Sequence, residues 1–377
     1  MRPGRAIGGG GGAARAAACA CAAILLAACG GGYVPTTSPT PSATPAPAVA
    51  SAPSLNGAQV IRLSDSDSSA AIFYTLDGTA PTSSSTPYLA PFLLAAPATV
   101  TAIAIAPGRA ASATASQKFA ISIPPGTLVW AQDFGNTTSA NAQPDPSVWT
   151  YDTGGGGWGN QELETYCAWN SSNAPCDAAN PNAYVGTDGV LHIVARQPAA
   201  GVYTSARLKT QGLFSFQYGR VEARMLLPEG QGLWPAFWLL GNNISAVGWP
   251  ACGEQDVMEH INQPSPDWVA GSLHGTSANL SQKYFFPAGA SAAGWHVYGM
   301  IWAPGKIEYY LDSPANVYAT FTPASLAGQP GAVWPFDGGG AFLILNLAVG
   351  GNWPGAPNGA TSFPAQALVA YIHIYTN

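Results

Sequence analysis

Between residues 189 and 375 the apolar positions fall into short runs, not helical stripes. "GVLHIVAR" (189–196), "GRVEARMLL" (219–227), "WPAFWLLG" (234–241), "WHVYGMIW" (295–302), "KIEYYLD" (306–312), "AFLILNLAVG" (341–350) and "ALVAYIHIY" (367–375) are rich in β-branched, aromatic and leucine residues. Segments of this length and composition, bounded by turn residues, read as strands. Upstream, "AAIFYTLDGTAPT" (70–82) carries an apolar run into an Asp77-Gly78 turn signal, and "ATVTAIAIAPG" (98–108) alternates as a half-buried strand does. The expectation is an all-β protein. A small β-sandwich covers 55–123, "IPPG" (123–126) marks a boundary, and a two-sheet sandwich of jelly-roll topology covers 127–377.

Composition agrees with strands and turns: the 377 residues include 44 Gly and 33 Pro. Only 8% are charged, the net charge is -6, and there is no basic run, which excludes nucleic acid as a partner. The expected state is a monomer. The first residues change the picture more. Arg2 and Arg5 precede an apolar centre at Ile24, Leu25 and Leu26, a pattern that reads as a secretory leader over 1–28. Its ending, "LAAC" (26–29), resembles a bacterial lipobox, which implies cleavage before Cys29 and lipid attachment to its thiol. Such an anchor places the chain on the cell envelope, at the outer membrane in a Gram-negative cell, whereas plain signal-peptidase cleavage would leave it secreted. Residues 29–54, with "YVPTTSPTPSATPAPAVASAPS" from 33, lack the means to bury a core and read as an extended tether.

Export makes a disulfide feasible. Of the cysteines after Cys29, Cys167 and Cys176 close a short loop and are the expected pair, which leaves Cys252 as a free thiol. Cys252 stands just before "GEQDVMEHIN" (253–262), where Glu254, Asp256 and Glu259 crowd three carboxylates into six positions. In a regular strand Glu254 and Asp256 share a face and Glu259 does not. One extra residue near Met258, a β-bulge, returns Glu259 to that face and leaves Val257 and Met258 for the core. Three acids on one face suit glycoside hydrolysis, which uses two carboxyl groups, about 5–5.5 Å apart in retaining enzymes. Their mutual repulsion would keep one of them protonated near neutrality. The same trio could instead coordinate calcium or form a solvated edge-strand face.

The stretch resembles the Glu-x-Asp-x-x-Glu signature of glycoside hydrolase family 16, with Met before the last Glu. "GGWGNQELETYC" (156–167), "YTSARLKTQGLFSFQYGRVEARMLLPEGQGLWPAFWLLG" (203–241), "GSLHG" (271–275) and "LILNLAVGGNWPG" (343–355) extend the likeness, in order, over 127–377. The resemblance implies a concanavalin-like jelly roll. It also implies a retaining endo-β-1,3-glucanase of laminarinase type that needs no cofactor for catalysis. A lichenase-like enzyme and a non-catalytic β-glucan-binding protein are the alternatives. By the same resemblance Glu254 is the nucleophile, Glu259 the acid/base and Asp256 the helper between them. Trp234 and Trp238 stack on sugar rings, Trp158, Asn160, Glu162 and Arg207 line the non-reducing side, and His274 lies near the cleaved bond. Asn346 and Trp353 complete the substrate-binding set. The run "YTLDGTAPT…TVTAIAIAPG" resembles the immunoglobulin-like domain at the end of chitobiases and hexosaminidases, which implies an accessory spacer or a weak sugar binder, the spacer being the expected role.

Two departures matter. Members of the family often hold a structural calcium with an acid in an opening Asp-Glu-Phe and an Asp before the last strand. Here Asp133 stands in "QDF" (132–134) and Ala370 replaces the second acid, which puts the calcium in doubt. Gln255 replaces an aliphatic residue and, by alternation, points away from the cleft. His192, His296 and His373 lie in apolar strand patterns and read as structural, and the histidines show no metal spacing.

Overall fold

The computed structural model describes residues 41–135, 137–261 and 267–377. The leader over 1–28 and the lipidation site Cys29 lie outside the described residues. No helix among the described residues is long and apolar enough to cross a membrane. The described chain is one compact unit of strands.

The small sandwich pairs a three-stranded sheet (Ala48–Pro53, Gln59–Ser64, Phe92–Leu94) with a four-stranded one (Thr86–Pro87, Ala71–Thr75, Ala98–Ile105, Ala115–Phe119). Ile61, Leu63, Ile72, Val100 and Phe119 form its core. Two sequence readings are corrected here. The tether does not reach residue 54, because Ala48–Pro53 is a strand in antiparallel register with Gln59–Ser64 over its whole length. Pro53 is tolerated because that strand is an edge, where a missing N–H costs no ladder bond. Even Thr44 is buried, donating to the Ala110 carbonyl at 2.8 Å and accepting from the Ala106 amide at 3.0 Å. The second correction concerns 98–105. Val100 through Ala104 are buried without interruption, so this strand is covered on both faces. Small Ala and Thr side chains permit that, and Thr101 meets Ser116 at 2.9 Å.

The larger unit is a two-sheet sandwich. One sheet has seven strands in the order Ala278–Phe285, Trp268–Gly275, Glu254–Glu259, Leu233–Gly241, Ala341–Val349, Arg207–Lys209 and Thr150–Asp152. The other has ten strands, with Leu191–Ala199, Ala365–Tyr375, Gly219–Leu226, Trp295–Ala303 and Lys306–Leu311 as its successive centre. Every apolar run singled out in the sequence is one of these strands. Alternation sets the layers. Leu233, Phe237 and Leu239 enter the core between the sheets with Leu343, Leu345 and Leu347. Trp234 and Trp238 take the opposite face, with Phe342, Ile344 and Asn346. From the second sheet Tyr309 presses against the strand Trp268–Gly275, and its hydroxyl donates to the Ser272 carbonyl at 2.7 Å. Only glycine fits at 271, since a Cβ there would lie 2.6 Å from the Tyr309 ring.

The small sandwich docks on the larger one through backbone hydrogen bonds: the Leu93 amide to the Ser215 carbonyl and the Ser215 amide to the Pro91 carbonyl, both 2.9 Å. Ala58 is part of the larger core. Cys167 and Cys176 form a disulfide, and Cys252 is a buried free thiol.

Candidate active site

The Glu254–Glu259 strand lies between the strands Leu233–Gly241 and Trp268–Gly275. Against the first, Trp238 pairs with Asp256 and Phe237 with Met258, so Val257 is the extra residue. Against the second, Asp256 pairs with Ser272 and Glu259 with Ala270. The strand is bulged at Val257–Met258, where the spacing required it. Val257 and Met258 are both buried in the core. Gln255 is buried on the side away from the carboxylates, at a cavity of about 490 Å³ bounded by the small sandwich and the edge of the larger one.

The three acids are held differently. Trp249 donates its indole N–H to Glu254 Oε2 at 2.8 Å. Glu254 Oε1 lies 3.9 Å from His274 Nε2, and Asp256 Oδ2 lies 3.2 Å from the same nitrogen. Glu259 Oε1 accepts from the Trp234 indole at 3.3 Å, and its Oε2 lies 3.2 Å from Ser272 Oγ. Burial raises the proton affinity of all three. For Glu254 the rise is opposed by the His274 charge, by the Trp249 bond and by Arg207. Asp256 and Glu259 go well above the usual carboxyl range, because neighbouring carboxylates add to burial: Glu254 for Asp256, and Asp256 then Glu254 for Glu259. The opposing groups are all at Glu254, while the neighbouring carboxylates add to burial at Glu259, so the environments favour the ionised form at Glu254 over Glu259. Two carboxyl groups pushed apart in this way can act as nucleophile and acid.

On one side of the acids the implied binding residues form a continuous hydrogen-bonded chain. Trp238 Nε1 donates to Asn346 Oδ1 (2.7 Å), Asn346 Nδ2 to Tyr166 OH (3.2 Å), Tyr166 OH to Glu162 Oε2 (2.9 Å), and Asn160 Nδ2 to Glu162 Oε1 (2.9 Å). Arg207 lays its guanidinium 4.5 Å above the Trp238 ring and 5.2 Å from that of Trp158, and its Nε lies 3.0 Å from Asp152. Behind the chain sits Glu164, its pKa pushed up to about 8 by burial and by Glu162, with Oε2 accepting from the Val349 amide at 2.7 Å. On the other side Trp353 packs edge-on against Trp234, ring centroids 5.1 Å apart, and against the buried Trp268 at 5.8 Å. All nine implied binding residues thus adjoin the acids or these two walls. Trp130, Trp149, Trp268 and Trp302 are buried, as core tryptophans are.

Sequence reasoning missed Trp249, Tyr166 and Ser272. Trp249 is 61% exposed, on the connection between the strands Leu233–Gly241 and Glu254–Glu259. Nothing in "VGWPACGE" (247–254) says where its indole points. Tyr166 sits two residues from Glu164 on the Glu164–Tyr166 strand, so alternation from an acid was the available signal. A charge-assisted bond of the Trp249 kind contributes about 1.5–3 kcal/mol. Trp249→Phe is expected to lower kcat/KM by about tenfold and to move the acid limb of its pH profile upward, because the lost bond favoured ionised Glu254. A profile with an unmoved acid limb would show that the indole does not bear on the carboxylate.

The residues expected to hold calcium do not fit it. The Asp133 carboxylate is engaged by His373 Nε2 at 2.6 Å, and Ala370 offers no oxygen ligand from its side chain. His192 and His296 are likewise paired with Asp188 and Asp312.

Comparison with known proteins follows the two sandwiches. Residues 50–116 match the chitobiase/beta-hexosaminidase C-terminal domain, and residues 170–358 match glycosyl hydrolases family 16. A beta-glucanase of Rhodothermus marinus is 39% identical over 260 residues, 66% of this chain and 84% of that protein. A glucan endo-1,3-beta-glucosidase A1 of Niallia circulans is 35% identical over 66% of this chain, which spans only 37% of that longer protein. The laminarinase catalytic domain from Thermotoga maritima superposes with a TM-score of 0.57 at 37% identity, over 67% of this chain and 99% of that one. With the bulged acidic strand, the tryptophan walls and these matches in agreement, the chain belongs to glycosyl hydrolases family 16.

Proposed function

We propose that this chain is an endo-acting β-1,3-glucanase that cleaves laminarin-type glucan with net retention by double displacement. The observation that carries the reading is the bulged strand that presents Glu254, Asp256 and Glu259, with Trp249 and His274 at Glu254 and Trp234 and Ser272 at Glu259. Ionised Glu254 attacks the anomeric carbon while Glu259 gives its proton to the leaving sugar oxygen. A water deprotonated by Glu259 then displaces the Glu254 ester, and the product leaves with its starting configuration. Once ionised, Asp256 adds its charge to the burial that raises the Glu259 proton affinity. The Trp238–Arg207–Trp158 side and the Trp234–Trp353 side offer ring faces to the apolar C–H faces of sugars on either side of the cut bond. Nothing in this cycle requires a cofactor.

The full chain is expected to release reducing sugar from laminarin faster than from lichenan, and Glu254→Gln to abolish both. Release from lichenan alone would move the assignment to mixed-linkage glucan. Binding to laminarin without release would leave a glucan-binding protein. We further propose, from "LAAC" (26–29), that the protein is exported and lipid-anchored at Cys29. Cys29→Ser is expected to shift it from the membrane fraction to the soluble one, and an unchanged distribution would refute the anchor.

A further inference from the structure

We propose that Glu254, Asp256 and His274 form a binding site for a divalent transition-metal ion of the zinc class, an inhibitor that takes the place of the glucan. The ligand atoms, one from each residue, all lie within 4.8 Å of one another. His274 Nε2 is 3.2 Å from Asp256 Oδ2 and 3.9 Å from Glu254 Oε1. Ligands about 2.0–2.2 Å from a tetrahedral zinc ion stand about 3.3–3.6 Å from each other, so the three need only small side-chain movements to close on one.

A second observation is independent of that spacing. Asp256 is 3% exposed, and its Oδ2 has no hydrogen-bond donor although His274 is close by. A buried carboxylate oxygen in that condition calls for a cation. The rest of the site is arranged to let one in. Trp249 holds Glu254 by Oε2, which leaves Oε1 turned to His274. Holding the second oxygen of a ligand is what outer partners do in metal sites. His274 keeps about a quarter of its side chain exposed, so the centre opens on the cleft and a fourth ligand can come from water.

The donor set selects the ion. Calcium takes six to eight oxygens and magnesium an octahedron of oxygens, while one imidazole with two carboxylates and an open position suits zinc or its borderline neighbours. The two carboxylates neutralise the charge of the ion. While it is bound, Glu254 cannot attack carbon, so inhibition follows directly from the proposed mechanism and rests on it. Binding itself does not. Among the described residues no other group of three such ligands converges. The half-buried His192, His296 and His373 each meet a single carboxylate: Asp188, Asp312 and Asp133.

The test is calorimetric titration of the full chain with zinc chloride, without glucan, with folding of each variant checked by circular dichroism. One site is expected. His274→Gln and Asp256→Asn should weaken it at least about tenfold, the least effect seen when even an outer partner of a metal ligand is removed. Cys252→Ser and His373→Ala should leave it intact. Absence of binding at millimolar zinc, equal binding by folded His274→Gln, or loss of binding in Cys252→Ser each overturns the proposal. In a second arm, zinc should raise the KM for laminarin with kcat unchanged, and a chelator should reverse the effect. Inhibition of kcat alone overturns the competitive form. A chain that binds zinc but releases no sugar refutes the glucanase reading and keeps the metal site, while hydrolysis without zinc binding does the opposite.

Discussion

Glu254→Ala is expected to lower kcat on laminarin by at least about 10⁴-fold, the scale on which loss of a nucleophile registers. Sodium azide should restore part of the rate. Removal of the carboxylate leaves a gap on the face of the anomeric carbon opposite the leaving sugar, and azide fits it. Glu259 is untouched and still donates its proton. One displacement then replaces two, so the product is the α-glycosyl azide, inverted relative to the substrate. Glu259→Ala should behave differently. Its first step survives on a substrate whose leaving group needs no proton, Glu254 still forms the ester, and azide attacks in the second step. The product is the β-glycosyl azide. The anomer therefore reports which glutamate is which. Exchanged anomers would reverse the assignment, and more than about 1% residual kcat in both variants would sink double displacement.

That roles can be placed on residues at all reflects how local the signal was. The family resemblance assigned Trp234 and Trp238 to sugar stacking, and the register with Ala341–Val349 puts both on the face opposite the core, with Trp238 bonded to Asn346. The bulge was legible because Glu254, Asp256 and Glu259, spaced two and then three apart, cannot share a face without it. Trp249 was not, because its place depends on how a connection folds back over the sheet. Ser272 was not, because it meets Glu259 only through cross-strand register. The misread tether at 48–53 shows a different limit. Ala, Ser and Pro carry no strand signature, and those residues are a strand because Gln59–Ser64 offers a ladder to join. Likewise 98–105 reads as half-buried until the second covering layer is known.

Asp256→Asn should move the alkaline limb of kcat/KM to lower pH by about one unit, the scale of one nearby charge in a buried site. Activity on that limb requires Glu259 to keep its proton. Where Asp256 is ionised, its charge is, after burial, the first cause of the high Glu259 proton affinity, so its removal lets Glu259 ionise earlier. Stability should respond in the same variant with a fixed sign. The folded-state pKa of Asp256 lies well above its unfolded value because burial and Glu254 oppose the charge. Whatever stability the retained proton gives is fully present below the unfolded pKa, about 3.9, and is lost as pH rises through the folded pKa. Asparagine carries no such loss. The difference in Tm, variant minus parent, should therefore grow in favour of Asp256→Asn as pH rises above about 4. Parallel Tm curves with an unmoved alkaline limb would mean that Asp256 does not set the proton on Glu259. A rising difference with a displaced limb would tie the loss of stability to the charge that catalysis uses, so that the fold is weakest where its acid is best poised.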